Sequence, residues 1–372
     1  MSKKGRNIYK RKDGRWEGRY PMERNDEGKI VYGYVYARTY ADVKKRLDDA
    51  TPHERPKPRR SAVCLAEVTK RWLLVASLKV KPSTLARYGA VAKKHILPAL
   101  GKTDVGKLGT LEINIFTKDK LQCGCTDGND GLAPKTVRDI LSVLKGIIDF
   151  AVSERLVENP VTITYPKQQR KSMRVLSHAE QSALKKALLE DMTIYRVGIL
   201  LCLYTGLRIG EVCGLRWEDF SPDLDRVSVR RTLQRINDDG GANKTKIILD
   251  SPKSPASIRE IPIPKSIVSI LKGFRRNGDA YFLSTPEHPL TEPRTMQNHF
   301  KQMIKVAGIA SANFHCLRHT FSTLCIEADV DVKSLSEMLG HENVNTTLNR
   351  YVHSTFEQKR EGISKLERYL GI

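Results

Sequence analysis

The residue types that could act on a phosphodiester are concentrated in the second half of the chain. They are two arginines, a lysine, two histidines and a tyrosine, in the order Arg208, Lys253, His315, Arg318, His341 and Tyr351. Guanidinium groups stay charged and bind phosphate oxygens in a bidentate manner, so two arginines could hold the negative charge that develops during attack on a phosphate. The set is therefore suited to phosphoryl transfer.

The spacing places most of these residues at the ends of predicted helices. Arg208 follows a glycine turn in the sequence TGLRIGE, at a helix junction. His315 and Arg318 are three residues apart in HCLRHT, one helical turn, so both can face one site. His341 follows a glycine at a predicted helix end. Singly these signals are weak, because a lone arginine is most often a surface residue and His-x-x-Arg is most often a helix face with an ion pair.

In this order the motifs are much more specific. TGLRIGE, a lysine in a strand turn, HCLRHT, LGHEN and a terminal tyrosine resemble the catalytic signature of the tyrosine recombinases. The layout resembles the three-part integrases of temperate phages and integrative conjugative elements. The resemblance implies a DNA-breaking and rejoining enzyme in which Tyr351 is the nucleophile and a 3′-phosphotyrosine is the intermediate. It is specific from Thr205 to Tyr351 and rests on pattern and charge before that.

Each residue of the set has a chemical role in such a reaction. Arg208 and Arg318 would bind the phosphate oxygens, and His341 would be a third donor to them. A tyrosine with a pKa near 10 is a poor nucleophile at neutral pH, so it needs a base or a strongly cationic site, and His315 is the candidate base. Lys253, in the turn of a predicted hairpin, is the candidate general acid for the leaving 5′ oxygen.

Neither a metal nor another cofactor is expected. Glu218 and Asp219 form the nearest approach to an acidic metal cluster and are expected at the surface, whereas Glu211 is expected to orient an arginine. Cys123 and Cys125 are expected to be free thiols in a loop, with half of a zinc site as the alternative. Seven scattered cysteines and a basic N-terminus without an apolar segment indicate a reducing, cytoplasmic location.

Composition indicates the partner. The chain has 64 lysines and arginines against 42 acidic residues, a formal net charge of +22, which favours a polyanion such as nucleic acid. An acidic membrane surface is the alternative, but no apolar run of about 18 residues exists to span a bilayer. Residues 1–60 alone hold 18 basic residues against 9 acidic ones.

The elements that must position these residues form a multidomain α+β fold. Residues 1–60 are predicted to be an arm-type DNA-binding domain, a small basic three-stranded sheet plus helix that ends in the linker Thr51–Ser61. One sheet face is predicted to carry aromatic and basic residues for a DNA groove, among them Arg15, Trp16, Arg19, Tyr34 and Arg38. The alternative is that the aromatic residues only form the core of the sheet.

The rest of the chain is predicted to hold two further domains. Residues 61–165 have helical periodicity and are predicted to be an all-helical core-binding domain, with Ser83 as one N-cap. Residues 166–372 are predicted to be a mixed, mostly helical catalytic domain with a small antiparallel sheet. Its C-terminal tail after Tyr351 would dock on a neighbouring protomer or, alternatively, on its own domain.

The resemblance also implies partners. They are double-stranded DNA attachment sites, a homotetramer assembled on DNA, a host DNA-bending protein and an excision factor, with no membrane. The alternatives are a chromosome-dimer resolvase or type IB topoisomerase-like enzyme, and a DNA-binding regulator that does not cleave. Replacement of Tyr351 separates the last from the others, because a pure binder would lose nothing.

Overall fold

The computed structural model divides the chain into two compact units, Met1–Val63 and Cys64–Ile372. It describes residues 7–24, 30–50, 63–124, 130–157, 161–168, 173–238, 244–250, 257–351 and 356–371. Small antiparallel sheets occur in both units and the larger unit is mostly helical, so the predicted α+β fold class is confirmed. The boundary near residue 165 stays a prediction, and the predicted linker Thr51–Ser61 lies outside the described residues.

The described residues of the N-terminal unit form three strands and one helix. The strands pair antiparallel in sequence order, and the helix follows them: β1 (Ile8–Lys10), β2 (Trp16–Arg24), β3 (Ile30–Ala37) and α1 (Tyr40–Ala50). Gly14 lies in the β1–β2 turn with a φ of +87°, a conformation that glycine adopts without steric cost. A sheet this small exposes one face to solvent and buries the other against the helix.

The two faces of this sheet carry different residues. Trp16 lies on the face that α1 covers, where its ring meets the edge of the Tyr40 ring with 5.1 Å between centroids. Side chains alternate along a strand, so Arg19 points to the opposite face, where Tyr34 lies directly across from it in β3. The prediction that Trp16 shares a face with Arg19 and Tyr34 is therefore wrong.

A helical region opens the larger unit. Its helices are α2 (Leu65–Ser77), α3 (Pro82–Val91), α4 (Leu97–Leu100), α5 (Thr110–Cys123) and α6 (Pro134–Ser153), with a π-helical turn at Ala92–Ile96. Val68, Ile96, Ile113 and Leu144 are fully buried and form part of its core. The predicted N-cap at Ser83 is wrong: α3 begins one residue earlier, because proline suits a first turn whose N–H groups have no helical partner.

In the described residues from 173 onwards, nine further helices follow. They are α7 (His178–Glu190), α8 (Ile194–Thr205), α9 (Ile209–Gly214), α10 (Lys265–Lys272), α11 (Pro293–Val306), α12 (Cys316–Glu327), α13 (Val332–Leu339), α14 (Val344–Tyr351) and α15 (Phe356–Leu370). The predicted capping box before α7 is confirmed, since Ser177 and Glu180 bond each other's backbone N–H. Helix α8 is mostly apolar, and most of its side chains belong to the core of this unit. No helix in the described ranges is long and apolar enough to cross a membrane.

In the described part of the larger unit, four strands form two antiparallel pairs, here called the two sections of a ribbon. They are β4 (Arg226–Val229), β5 (Thr232–Asn237), β6 (Thr245–Asp250) and β7 (Arg259–Pro262), and β4 pairs with β7 while β5 pairs with β6. Two residues, 230 and 231, separate the sections on the first side, whereas eight residues, 251–258, separate them on the second.

This pairing corrects the sequence-based placement of Lys253. The prediction puts Lys253 in the turn of a hairpin, but the strands before and after it pair with different partners rather than with each other. Its segment is therefore an insertion in the second side of the ribbon. Lys253 itself lies outside the described residues.

Candidate active site

Arg318 joins three motifs that are far apart in sequence. It lies on α12 and is almost fully buried, with 2% of its surface exposed. One terminal nitrogen donates to the Gly206 carbonyl at 2.9 Å, and the other donates to the Leu339 carbonyl at 2.6 Å. That second nitrogen is also 3.1 Å from Nε2 of His341. The guanidinium is therefore held in one orientation before any ligand binds.

Arg208 is positioned by the turn between α8 and α9. Gly206 ends α8 with a φ of +65°, and a Cβ there would lie 2.5 Å from the Phe321 ring, so the position requires glycine. Arg208 is the N-cap of α9, and its backbone N–H donates to Glu211 at 2.9 Å. Its side chain is 38% exposed, which leaves the guanidinium accessible from solvent.

Glu211 is a buried carboxylate between two arginines. It accepts hydrogen bonds from the Arg208 side chain at 2.8 Å and from Arg259 at 2.8 and 3.2 Å, so it orients an arginine as the sequence indicates. Burial alone would raise the pKa of this carboxyl, but the hydrogen bonds from Arg259 and the charges of both arginines lower it to about 2. Glu211 therefore stays ionised at neutral pH.

His341 follows the left-handed Gly340 that ends α13. Its Nδ1 is 2.8 Å from the hydroxyl of Thr347, a buried residue on α14. Because a guanidinium nitrogen can only donate, Nε2 of His341 accepts from Arg318 in this arrangement and Nδ1 carries the proton. Nε2 must therefore gain a proton or turn away from Arg318 before it can donate to a phosphate oxygen.

His315 lies one helical turn before Arg318, at the N-cap of α12. Its side chain is exposed, and its ring meets the edge of the buried His319 ring with 4.5 Å between centroids. The described part of the predicted set therefore consists of Arg208, His315, Arg318 and His341 in neighbouring positions. Tyr351 is the last residue of α14, and its side chain lies outside the described residues.

The predicted DNA-binding residues of the N-terminal unit lie in different parts of its sheet. Arg19 stacks on Tyr32 with 3.5 Å between its guanidinium carbon and the ring centroid, next to Tyr34 on the open face. Arg15 is bound to Asp13 in the β1–β2 turn, and Arg38 is exposed just after β3. The roles of these residues stay predictions.

Two residues that sequence reasoning missed are Arg259 and Thr347. The sequence contains a signal for Arg259. It lies two residues before the buried Ile261 in β7, and side chains two apart on a strand point to the same face, so Arg259 points inward. No comparable signal exists for Thr347, whose contact with His341 depends on how α14 packs. One acidic residue was misplaced: Asp219 is buried and bound to Arg231, not at the surface.

The described residues contain no cluster of three or more His, Cys, Asp or Glu that could hold a metal ion. Cys123 is a free, exposed thiol, and Cys125 lies outside the described residues. What the site does contain is two arginines near helix ends, Arg208 and Arg318, with two histidines beside them, and the two guanidinium groups could bind the oxygens of one phosphate. Fold and site together are those of an enzyme that acts on phosphodiesters.

Comparison with known proteins places this chain in a family. The model of the phage integrase family matches residues 172–358, half of the chain, and the model of the phage integrase N-terminal SAM-like domain matches residues 64–121. This protein belongs to the phage integrase family. It is therefore an enzyme of the tyrosine recombinase class, which cleaves and rejoins DNA, and the predicted resemblance is confirmed.

Full-length relatives and solved structures agree with that assignment. A tyrosine recombinase XerC-like protein of Caldanaerobacter subterraneus subsp. tengcongensis is 26% identical, over 92% of this chain and 93% of its own length. The ICEBs1 integrase of Bacillus subtilis is 24% identical, over 88% and 89%.

The fold is similar to that of the Tn1549 transposon integrase in complex with a circular intermediate DNA, with a TM-score of 0.66 and 20% identity over 82% of this chain and 99% of that one. A lambda integrase tetramer bound to a Holliday junction gives a TM-score of 0.59 and 18% identity over 93% and 95%.

Proposed function

We propose that this recombinase is an integrase that inserts and excises a mobile element through a 3′-phosphotyrosine link at Tyr351. The observation that carries the proposal is that Gly206, Leu339 and His341 all contact the buried guanidinium of Arg318. A cation fixed in this way needs no reorganisation when charge develops on a phosphate, which is the condition for electrostatic stabilisation of a transition state.

The proposed cleavage step exchanges one phosphodiester for another. The Tyr351 phenol oxygen attacks the phosphorus, its proton passes to His315, and the bond to the 5′ oxygen breaks. Lys253 gives a proton to that oxygen, which leaves as a 5′ hydroxyl. Arg208, Arg318 and His341 hold the non-bridging oxygens throughout. A second 5′ hydroxyl then attacks the phosphotyrosine and restores the DNA strand, so no ATP is consumed.

The proposed role of the N-terminal unit is to bind arm-type DNA sites. Arg19 and Tyr34 lie side by side on the open sheet face, and Arg38 is exposed at its edge. Exposed cations bind phosphate and aromatic rings give a rigid contact surface, which together suit a DNA groove. A homotetramer on DNA, a host DNA-bending protein, an excision factor and a cytoplasmic location complete the proposal.

The name of the XerC-like relative favours a second candidate, a chromosome-dimer resolvase. Both candidates use the same chemistry and differ in the DNA site that is cut. The net charge of residues 1–60, 18 basic against 9 acidic residues, supports the integrase, because a second class of DNA site requires a second basic surface. Cleavage at the ends of the element that carries the gene would favour the integrase.

The test is formation of a covalent adduct. Wild-type protein is incubated without magnesium with nicked DNA that carries the junction sequence flanking its own gene, and an SDS-resistant protein–DNA band is measured. Tyr351→Phe should abolish the band and leave binding unchanged. Tyr369→Phe is the matched control, since Tyr369 lies on α15 with 88% of its surface exposed, and it should form the band normally. Tight binding with no wild-type adduct would favour a regulator that does not cleave.

A further inference from the structure

A buried arginine outside the predicted catalytic set lies behind the site. Arg259 is on β7, and its side chain is 5% exposed. All three of its guanidinium nitrogens donate hydrogen bonds: to both oxygens of Glu211, to the Met338 carbonyl at 2.6 Å and to the Ser257 carbonyl at 3.1 Å. A lysine could not reproduce this forked set of hydrogen bonds, because its ammonium donates from only one nitrogen.

The first consequence concerns the charge on Arg208. Glu211 carries one negative charge and contacts two arginines, so the three groups together carry one positive charge. Arg259 contacts both carboxylate oxygens and neutralises the carboxylate from the buried side. Without Arg259, Glu211 would be a buried carboxylate with Arg208 as its main cation. Arg208 would then be held on Glu211 more tightly and would be less available to a phosphate.

The second consequence concerns His341. Arg259 Nε donates to the carbonyl of Met338, and the next carbonyl along the chain, that of Leu339, accepts from Arg318. Gly340 packs on Arg259 so closely that a Cβ there would lie 3.0 Å from the guanidinium. The backbone that leads into His341 is therefore held by two guanidinium groups, which bind consecutive carbonyls.

The third consequence concerns the insertion in the ribbon. The Ser257 carbonyl, which accepts from Arg259, is near the end of the segment 251–258 that carries Lys253. The same side chain thus fixes the point at which this segment rejoins β7.

We propose that Arg259 is a positioning residue for strand cleavage: it leaves the charge of Arg208 available to the phosphate and fixes the turn that carries His341. The inference rests on the proposed cleavage function and adds a residue that does not itself contact DNA. It predicts that loss of Arg259 slows the chemical step and leaves binding of the core DNA site nearly intact, since the exposed cations that bind DNA are unchanged.

The test uses full-length protein and two measurements, the single-turnover rate of adduct formation and the Kd for core-site DNA. Arg259→Met should slow adduct formation about 100-fold, the size of effect expected when reacting groups are misplaced by about 1 Å, while the Kd changes less than about threefold. Arg259→Lys should not restore the rate, because the fork is lost. The matched control is Arg231→Met, which removes an arginine between β4 and β5 that is 17% exposed and bound to the buried Asp219. It should lower stability but cleave within about threefold of wild type, because its hydrogen bonds go to Glu218 and Asp219 and not to Glu211 or the turn before His341.

A double variant keeps the proposal testable if a lone Glu211 charge unfolds the protein. Arg259→Met with Glu211→Gln removes both buried charges. It should cleave faster than Arg259→Met, because Arg208 is no longer held by the Glu211 charge, and more slowly than wild type, because the Met338 carbonyl before His341 still lacks its donor. The inference is overturned if Arg259→Met or the double variant cleaves as fast as the Arg231 control, or if core-site binding falls in parallel with cleavage. Failure of wild type to form an adduct would instead refute the proposed function.

Discussion

The two basic regions of this molecule hold their arginines in opposite ways. In the larger unit Arg318 and Arg259 are buried and bonded to backbone carbonyls or to a carboxylate. In the N-terminal unit the half-buried Arg19 lies against the Tyr32 ring on the sheet face that α1 does not cover, and its buried Nε has no hydrogen-bond partner among the described residues. A cation fixed by hydrogen bonds suits the stabilisation of a transition state. A cation without such bonds can adapt to the repeating phosphates of a DNA duplex.

Replacement of Arg318 is expected to have the largest effect. Arg318→Met should lower the rate of adduct formation by about 10³-fold, because a preorganised donor to the phosphate is lost. It should also lower the free energy of unfolding by about 2 to 4 kcal/mol, since two buried carbonyls lose their donor. Arg196→Met is the control: Arg196 also bonds a backbone carbonyl, at 3.2 Å, and its loss should affect stability alone. Normal cleavage by Arg318→Met would contradict the idea that the buried arginines of the larger unit stabilise the transition state.

Acid should weaken the site through Glu211. Its pKa is about 2 in the folded chain, below the ordinary value of 4.5, so its stabilising contribution is complete above pH 4.5 and is lost as pH falls from 4.5 towards 2. The contribution is about 3 kcal/mol by linkage. Urea unfolding at pH 6 and pH 3 should therefore show a steeper loss of stability for wild type than for Glu211→Gln. Glu260→Gln, an exposed change on the same ribbon, should keep the wild-type slope.

The contact between Thr347 and His341 should have a smaller effect. Thr347→Val removes the hydroxyl at nearly constant volume, so His341 loses the partner of Nδ1. We expect adduct formation to slow about tenfold, as for other residues that orient a functional imidazole. Thr291→Val removes a similar buried bond, to the Leu283 carbonyl at 2.7 Å, and should cost stability without slowing cleavage. Equal rates for the two variants would show that the contact does not position His341.

Substitutions in the N-terminal unit should affect DNA binding and leave the cleavage rate unchanged. Arg19→Ala should weaken binding to arm-type DNA by about tenfold and reduce the slope of log affinity against log salt by about one, the value for one phosphate contact. Cleavage of a nicked core substrate should not change. Lys45→Ala, on the helix side of the same unit, removes the same charge and should leave arm binding nearly intact. An equal loss from both variants would mean that net charge, not the sheet face, binds the DNA.

The sequence predicted some features of the site better than others, for physical reasons. Gly206 and Gly340 marked the helix ends that present Arg208 and His341, because left-handed turns restrict residue type. The ribbon was misjudged because strand β5 was not predicted, and without it Lys253 falls in a hairpin turn. Trp16 was assigned to the wrong face of the sheet, although it lies three residues from Arg19 in the same strand and alternation puts the two on opposite faces. Arg259 was missed because a buried arginine depends on partners brought in from Glu211 and Met338 by the fold.

The hydrogen bond between Thr347 and His341 also links the position of His341 to that of helix α14. Thr347 lies four residues, about one helical turn, before Tyr351 on the same helix. Any displacement of α14 that withdraws the tyrosine also takes away the hydroxyl that holds His341 in place. The proposed nucleophile and the proposed phosphate donor would thus be lost in one movement, so a protomer with a displaced helix would lack both the reactive group and part of the electrostatic support for cutting. Such a linkage would protect DNA that is bound but not correctly paired from stray nicks.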